Sequence, residues 1–155
     1  MIQRVQSIWL LLAALMLMSL FFLPLLTKNV NGTEYGIYTT GLHEQMKGNS
    51  GNGFKAELAL IPIALNLASA LFCFVSIFFF KNRGLQKRVT IVAMLMIIAL
   101  PILCIIRAGQ LPGGTTGITV AIGAFSLLAS LLFCLLAIRG IRKDEQLLRS
   151  ADRLR

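Results

Sequence analysis

From Thr115 to Ile138 the chain runs 24 residues without a charged side chain. At about 1.5 Å per residue, a helix of that length outreaches the roughly 30 Å hydrocarbon core of a bilayer. Backbone groups in that core have no water to bond to, so a single run of this kind must be helical. Three more apolar blocks approach or exceed the spanning length: Ser7 to Leu26, Ala56 to Phe80 and Val89 to about Ala108. Apolar residues reach 57% of the chain, gathered in these blocks rather than spread at helical or strand period. The sequence therefore predicts an all-α membrane protein, a four-transmembrane-helix bundle forming one domain over residues 1–155. Its spans fall at about 7–26, 56–80, 89–108 and 115–138, joined by an extracytoplasmic loop 27–55 and a cytoplasmic turn 81–88. A cytoplasmic tail, 139–155, follows.

The net charge of +9 would suggest nucleic acid in a soluble chain, but its distribution matters more. Arg4, Lys81, Arg83, Lys87, Arg88, Arg139, Arg142, Lys143, Arg149, Arg153 and Arg155 fall on one side of the spans, and Lys28, Lys47, Lys55 and Arg107 on the other. That excess is the positive-inside pattern, so both termini are expected in the cytoplasm. No nucleic-acid partner is expected beyond a ribosome met by the basic tail. Cys73, Cys104 and Cys134 all lie within spans and form no CxxC pair, which argues against a structural disulfide or a thiolate metal site.

The first span is longer than a secretory h-region and has no small-x-small cleavage site before Thr27, so it is expected to be retained. In the loop, Val30-Asn31-Gly32-Thr33 sets Asn-Gly between β-capable stretches, predicting a small β-hairpin of type I′. Such a hairpin is marginal alone and must lean on the bundle or a partner. Gly48 to Gly53 reads as a flexible linker. His43, the single histidine, is expected to be solvated.

Within the spans, Asn66 is the most polar group, and its amide needs a partner in hydrocarbon. It reads as an interhelical hydrogen bond worth about 0.6–2 kcal/mol, or as a ligand or ion contact. Glu57 and Arg107 open and close neighbouring spans at similar depth, which predicts an ion pair between those helix ends. Leu67-Ala68-Ser69-Ala70-Leu71-Phe72-Cys73 recurs as Leu128-Ala129-Ser130-Leu131-Leu132-Phe133-Cys134. Two hairpins related by an axis along the membrane normal would explain the echo, as would chance among Leu/Ala/Phe-rich spans. Ser69 and Ser130 lie on small-residue faces in both copies, predicting that spans two and four touch.

In the tail, Leu147, Leu148, Ala151 and Leu154 share a helical face while Glu145, Arg149, Asp152 and Arg153 lie off it, giving a short amphipathic helix. It can rest on anionic lipid headgroups, or dock a partner through Arg142, Lys143, Glu145, Leu148, Arg149, Asp152 and Arg153. The opening Met1-Ile2-Gln3-Arg4-Val5-Gln6, and the ending Arg142-Lys143-Asp144-Glu145 through Leu148 to Arg155, resemble the small four-span inner-membrane proteins of Bacteroidota grouped as the domain of unknown function 4293 family. The resemblance covers the whole chain. It implies a bacterial inner membrane and a periplasmic outer loop, and carries over no site residues.

No nucleophile with its base, no paired intramembrane acids and no HExxH occur, so no enzyme, catalytic residue, cofactor or metal is expected. The expected role is a non-catalytic accessory subunit or scaffold of a larger membrane complex, with export or insertion machinery as one candidate. A small oligomeric transporter or channel is the alternative, and a membrane-protein partner or homo-oligomer is expected in either case.

Overall fold

The computed structural model of the chain describes residues 3–30, 33–46, 54–79, 82–110 and 117–152. The expected linker at 48–53 and Arg153 lie outside them. Four helices carry the fold: α1 (Gln3–Ser19), α2 (Leu60–Phe78), α3 (Arg83–Gly109) and α4 (Ile122–Asp152). Five strands lie between them: β1 (Leu26–Val30), β2 (Thr33–Tyr38), β3 (Gly41–Met46), β4 (Phe54–Leu58) and β5 (Ile118–Val120). The helices form a ring in chain order, each packed on its two neighbours.

The ring is apolar outside, and its interior mixes small and apolar side chains with a few polar ones. In α2 the buried residues are Pro62, Asn66, Ser69, Ala70, Cys73 and Ser76, while Leu67, Leu71, Phe74 and Phe78 are exposed. Small side chains inside let backbones approach closely, and large apolar ones outside suit lipid. An apolar surface of that extent would not stay monomeric in water. Three helices, α2, α3 and α4, are long and apolar enough to cross a membrane, while α1 is a shorter apolar helix of 17 residues. Past Ser19 the α1 backbone makes further turn bonds, Leu20 N to Leu17 O and Leu23 N to Ser19 O, before Pro24 ends it.

The outer loop holds more than a hairpin. β1 and β2 pair with Val30 opposite Thr33, leaving two residues between the strands as expected for Asn-Gly. The hairpin is then extended on both sides into an antiparallel sheet of order β4-β3-β2-β1-β5. This corrects the expected bounds of two spans. Phe54 to Leu58, with Glu57, is an edge strand rather than the top of α2, and Ile118 to Val120 pairs with β1 before α4 begins. The physical reason is alternation: a β-branched Ile-Thr-Val run after Gly117, at φ +77°, suits a strand better than a helix start.

Leu26, Ile37, Leu42 and Ile118 share one face of the sheet and pack on the bundle core. Thr39 Oγ1 donates to Leu20 O at 2.9 Å, satisfying a carbonyl at the end of α1. The sheet is thus a cap on one end of the bundle.

Diagonal helices α2 and α4 meet at their centre, where the Cys73 and Cys134 sulfurs lie 3.8 Å apart. These are equivalent positions of the sequence echo, and equivalent atoms of a two-fold arrangement meet only on its axis. Ser69 and Ser130 repeat the same local bond, donating to Asn66 O at 2.8 Å and Leu127 O at 2.7 Å. With Cys104→Ser as background, diamide should oxidise the two thiols to one intramolecular disulfide, the two thiol protons and two electrons passing to the diamide N=N bond, which becomes the hydrazine. After denaturation neither thiol should then react with a maleimide. Full labelling of both would break the ring order.

Candidate functional site

Where the sheet meets the tops of α2 and α3, a cleft of about 140 Å³ opens, with Tyr38, Glu57, Arg107 and Gln110 on its polar side and Ile37, Leu42 and Pro62 on its apolar side. Glu57 and Arg107, the expected pair, are both exposed and line this one cleft. No ion pair or hydrogen bond joins them among the described residues. The cleft thus presents a carboxylate and a guanidinium, groups that can hold a dipolar ligand, and the buried Cys104 thiol lines it as well.

Asn66 is fully buried in α2, and its amide donates to Leu17 O of α1 at 3.2 Å, an interhelical bond. Among the described residues, Asn66 Oδ1 has no hydrogen-bond partner. Ser69 and Ser130 bond within their own helices, so they serve close packing rather than interhelical bonding.

At the end opposite the sheet, polar side chains that the sequence reading passed over tie the helices together. Ser76 Oγ of α2 lies 2.9 Å from Thr90 Oγ1 of α3, and Thr90 donates to Gln86 O at 2.8 Å. Gln6 of α1 donates through Nε2 to Asp144 Oδ2 of α4, with both residues only 5% exposed. Gln6 lies in the first turn of α1, where the positive end of the helix dipole favours a carboxylate. Asp144 is therefore a clasp rather than part of an exposed tail face. Its signal in the sequence is spacing: Cys134, Ala137, Ile141 and Asp144 continue the buried stripe of α4 at steps of three and four.

The tail is also not a separate helix. α4 runs unbroken from Ile122 to Asp152. Arg142 and Lys143 are exposed at its surface, and Glu145 is half-buried. Leu148, Arg149 and Asp152 continue the helix, but their side chains lie outside the described residues, as does Arg153 altogether.

His43 is half-buried in β3, its ring 4.4 Å from that of Tyr38. Lys28, expected on the outer flank, is buried in β1 on the sheet face that meets the bundle. Among the described residues no three His, Cys, Asp or Glu side chains gather as a metal set.

A family model described as a domain of unknown function (DUF4293) matches residues 2–154. The chain belongs to this family. No curated protein matches it. For a DUF4293 chain the architecture thus comprises a four-helix bundle capped by a five-stranded sheet, a charged cleft beneath the sheet and a clasp joining the two chain ends.

Proposed function

We propose that this DUF4293 protein is a non-catalytic integral protein of a bacterial inner membrane, an accessory subunit or scaffold of a larger complex. All four helices cross, and both termini lie in the cytoplasm. The basic end of the bundle, with Lys87, Arg88, Arg139, Arg142 and Lys143, faces inward by the positive-inside bias, and the sheet faces outward.

The observation that supports docking is the continuity of α4. About 20 of its 31 residues suffice to cross the hydrocarbon, which leaves about ten as a helical arm beyond it. An arm rigidly continuous with a span, and clasped at its base by Gln6, holds a fixed angle to the membrane. That suits a surface meant for a protein better than one meant to lie flat on lipid.

The test compares the full chain with one ended after Gln146, which keeps the Gln6–Asp144 clasp. Each is purified natively from gentle detergent and its companions are identified by mass spectrometry. A stoichiometric partner held by the full chain and lost on truncation is the expected result. An unchanged set of companions would sink the docking role. If the chain emerges alone or as a homo-oligomer, the transporter or channel reading takes its place; the unpartnered Asn66 Oδ1 supports that reading, and proteoliposome flux that vanished with Asn66→Leu would establish it.

A further inference from the structure

Between α3 and α4, the least closely packed neighbours of the ring, a groove of about 500 Å³ opens on the outer surface at the end away from the sheet. Its α3 wall is Ile91, Met94, Leu95 and Ile98, and its α4 wall is Leu135, Ile138, Arg139 and Arg142. Both sets follow the same i, i+3, i+4, i+7 spacing, so two straight stripes face each other across antiparallel helices. Because the helices run in opposite directions, Ile98 and Leu135 mark the deep end. Ile91, Arg139 and Arg142 mark the mouth.

The groove is therefore divided by chemistry along its length. Its α3 wall is apolar over about 10 Å, seven residues of helical rise, with Leu95 63% exposed, and the deeper part of its α4 wall, Leu135 and Ile138, is apolar too. At the mouth sit two exposed guanidiniums that make no ion pair among the described residues. Arg88, also exposed, lies three residues before Ile91 and continues the α3 stripe toward the same end. Lys143 stands beside Arg142 in sequence, equally exposed and at equal depth, yet it does not line the groove.

We propose that this groove is a binding site for one anionic phospholipid, its phosphate held between Arg139 and Arg142 and an acyl chain laid along Ile91, Leu95, Ile98 and Leu135. The occupant is set by charge complementarity. Guanidinium forks take phosphate oxygens in bidentate fashion where an ammonium acts only as a point charge. At the edge of the hydrocarbon such bonds are little screened, and basic pockets between transmembrane helices suit anionic headgroups. The apolar floor distinguishes a lipid from a free phosphate, which would gain nothing from Leu95 or Ile98. The site rests on the chain being embedded in a membrane, and not on its having a protein partner.

The experiment takes the purified full chain in a neutral detergent and counts retained lipids by native mass spectrometry. It is exposed in turn to dioleoyl phosphatidylglycerol, dioleoyl phosphatidylcholine and inorganic phosphate. One phosphatidylglycerol per chain should be retained, about tenfold more strongly than phosphatidylcholine, with phosphate unable to displace it. The double substitution Arg139→Gln with Arg142→Gln should lower retention about tenfold or more, whereas Lys143→Gln should leave it unchanged. Leu95→Trp, which fills the groove and keeps every charge, should also expel the lipid. Equal retention of phosphatidylcholine would make the occupant ordinary annular lipid and overturn the site. So would equal losses from Lys143→Gln, a lipid indifferent to Leu95→Trp, or displacement by phosphate. A shift of Leu95→Trp from oligomer to monomer, with lipid retained, would overturn it in favour of an interface between copies.

Discussion

Gly41→Ala should unfold the outer cap while leaving the helices in place, with a cost of about 3 kcal/mol or more. Gly41 begins β3 at φ +143°, a region that residues with a side chain rarely enter. A Cβ there would lie 1.8 Å from Glu57 O in β4, so the added methyl meets backbone and not a side chain that can swing away. The collision falls where Gly41 faces Leu58, at the last pair of the β3–β4 ladder before α2. Relieving it means prising β4 from β3, and with it the bond from Ala59 N to Thr40 O that leads the chain into α2. Limited proteolysis at the outer loop and thermal unfolding in detergent should both report the loss. Gly84→Ala is the control, because nothing lies within 4 Å of its added Cβ and it sits in the first turn of α3. That variant should be neutral, or more stable by up to about 1 kcal/mol from helix propensity. Equal stability of the two variants would show that the strand does not approach Gly41 so closely.

The bundle was legible in the sequence because its signal is long and redundant. Each helix rests on a block of apolar residues, and the Ser69/Cys73 and Ser130/Cys134 faces repeat the small-residue spacing that fills the ring's interior. The sheet was legible only at Asn31-Gly32, where one dipeptide carries a local mechanism. Hydropathy draws the second half of β4, from Ala56, and all of β5 into the neighbouring apolar blocks because it counts Ala56, Leu58, Ile118 and Val120 as apolar without asking about their period. The run from Thr115 is longer than a bilayer needs, and that surplus is what β5 uses to close the sheet beside β1. Pairing between residues 26–28 and 118–120 is a contact across some ninety positions that no local pattern announces.

The interior polar contacts were harder still. Asn66 could be named because an amide stands out in hydrocarbon, but its partner is Leu17 O, a backbone carbonyl present at every residue. Glu57 and Arg107 do reach one cleft, although Glu57 arrives there from an edge strand rather than from a helix top. Asp144 falls inside the tail bounds 139–155, and nothing in its local composition sets it apart from the charged residues around it. Its burial follows from position on the stripe, which overrules composition when a helix continues past its apolar stretch with the same side facing its neighbour.

Gln6→Leu should therefore cost more than its place near the start of the chain suggests, about 2–4 kcal/mol. It removes the amide that donates to Asp144 while leaving the carboxylate almost wholly buried. A buried anion deprived of its donor bears the full desolvation penalty, whereas removing both partners can be nearly neutral. Gln6→Leu combined with Asp144→Leu should accordingly regain most of the lost stability, an interaction visible as non-additivity in a double-mutant cycle. Gly140 supplies an independent approach to the same clasp, because a Cβ there would come within 2.8 Å of Gln6 Cγ. Gly140→Ala should then displace the amide and reproduce part of the Gln6→Leu effect without touching any polar group. Thermal unfolding of these three variants and of Asp144→Leu alone, in one detergent, decides the matter. Additive losses in the double variant would mean that Asp144 is held by something other than Gln6, and that the base of the α4 arm is not fastened to the start of α1.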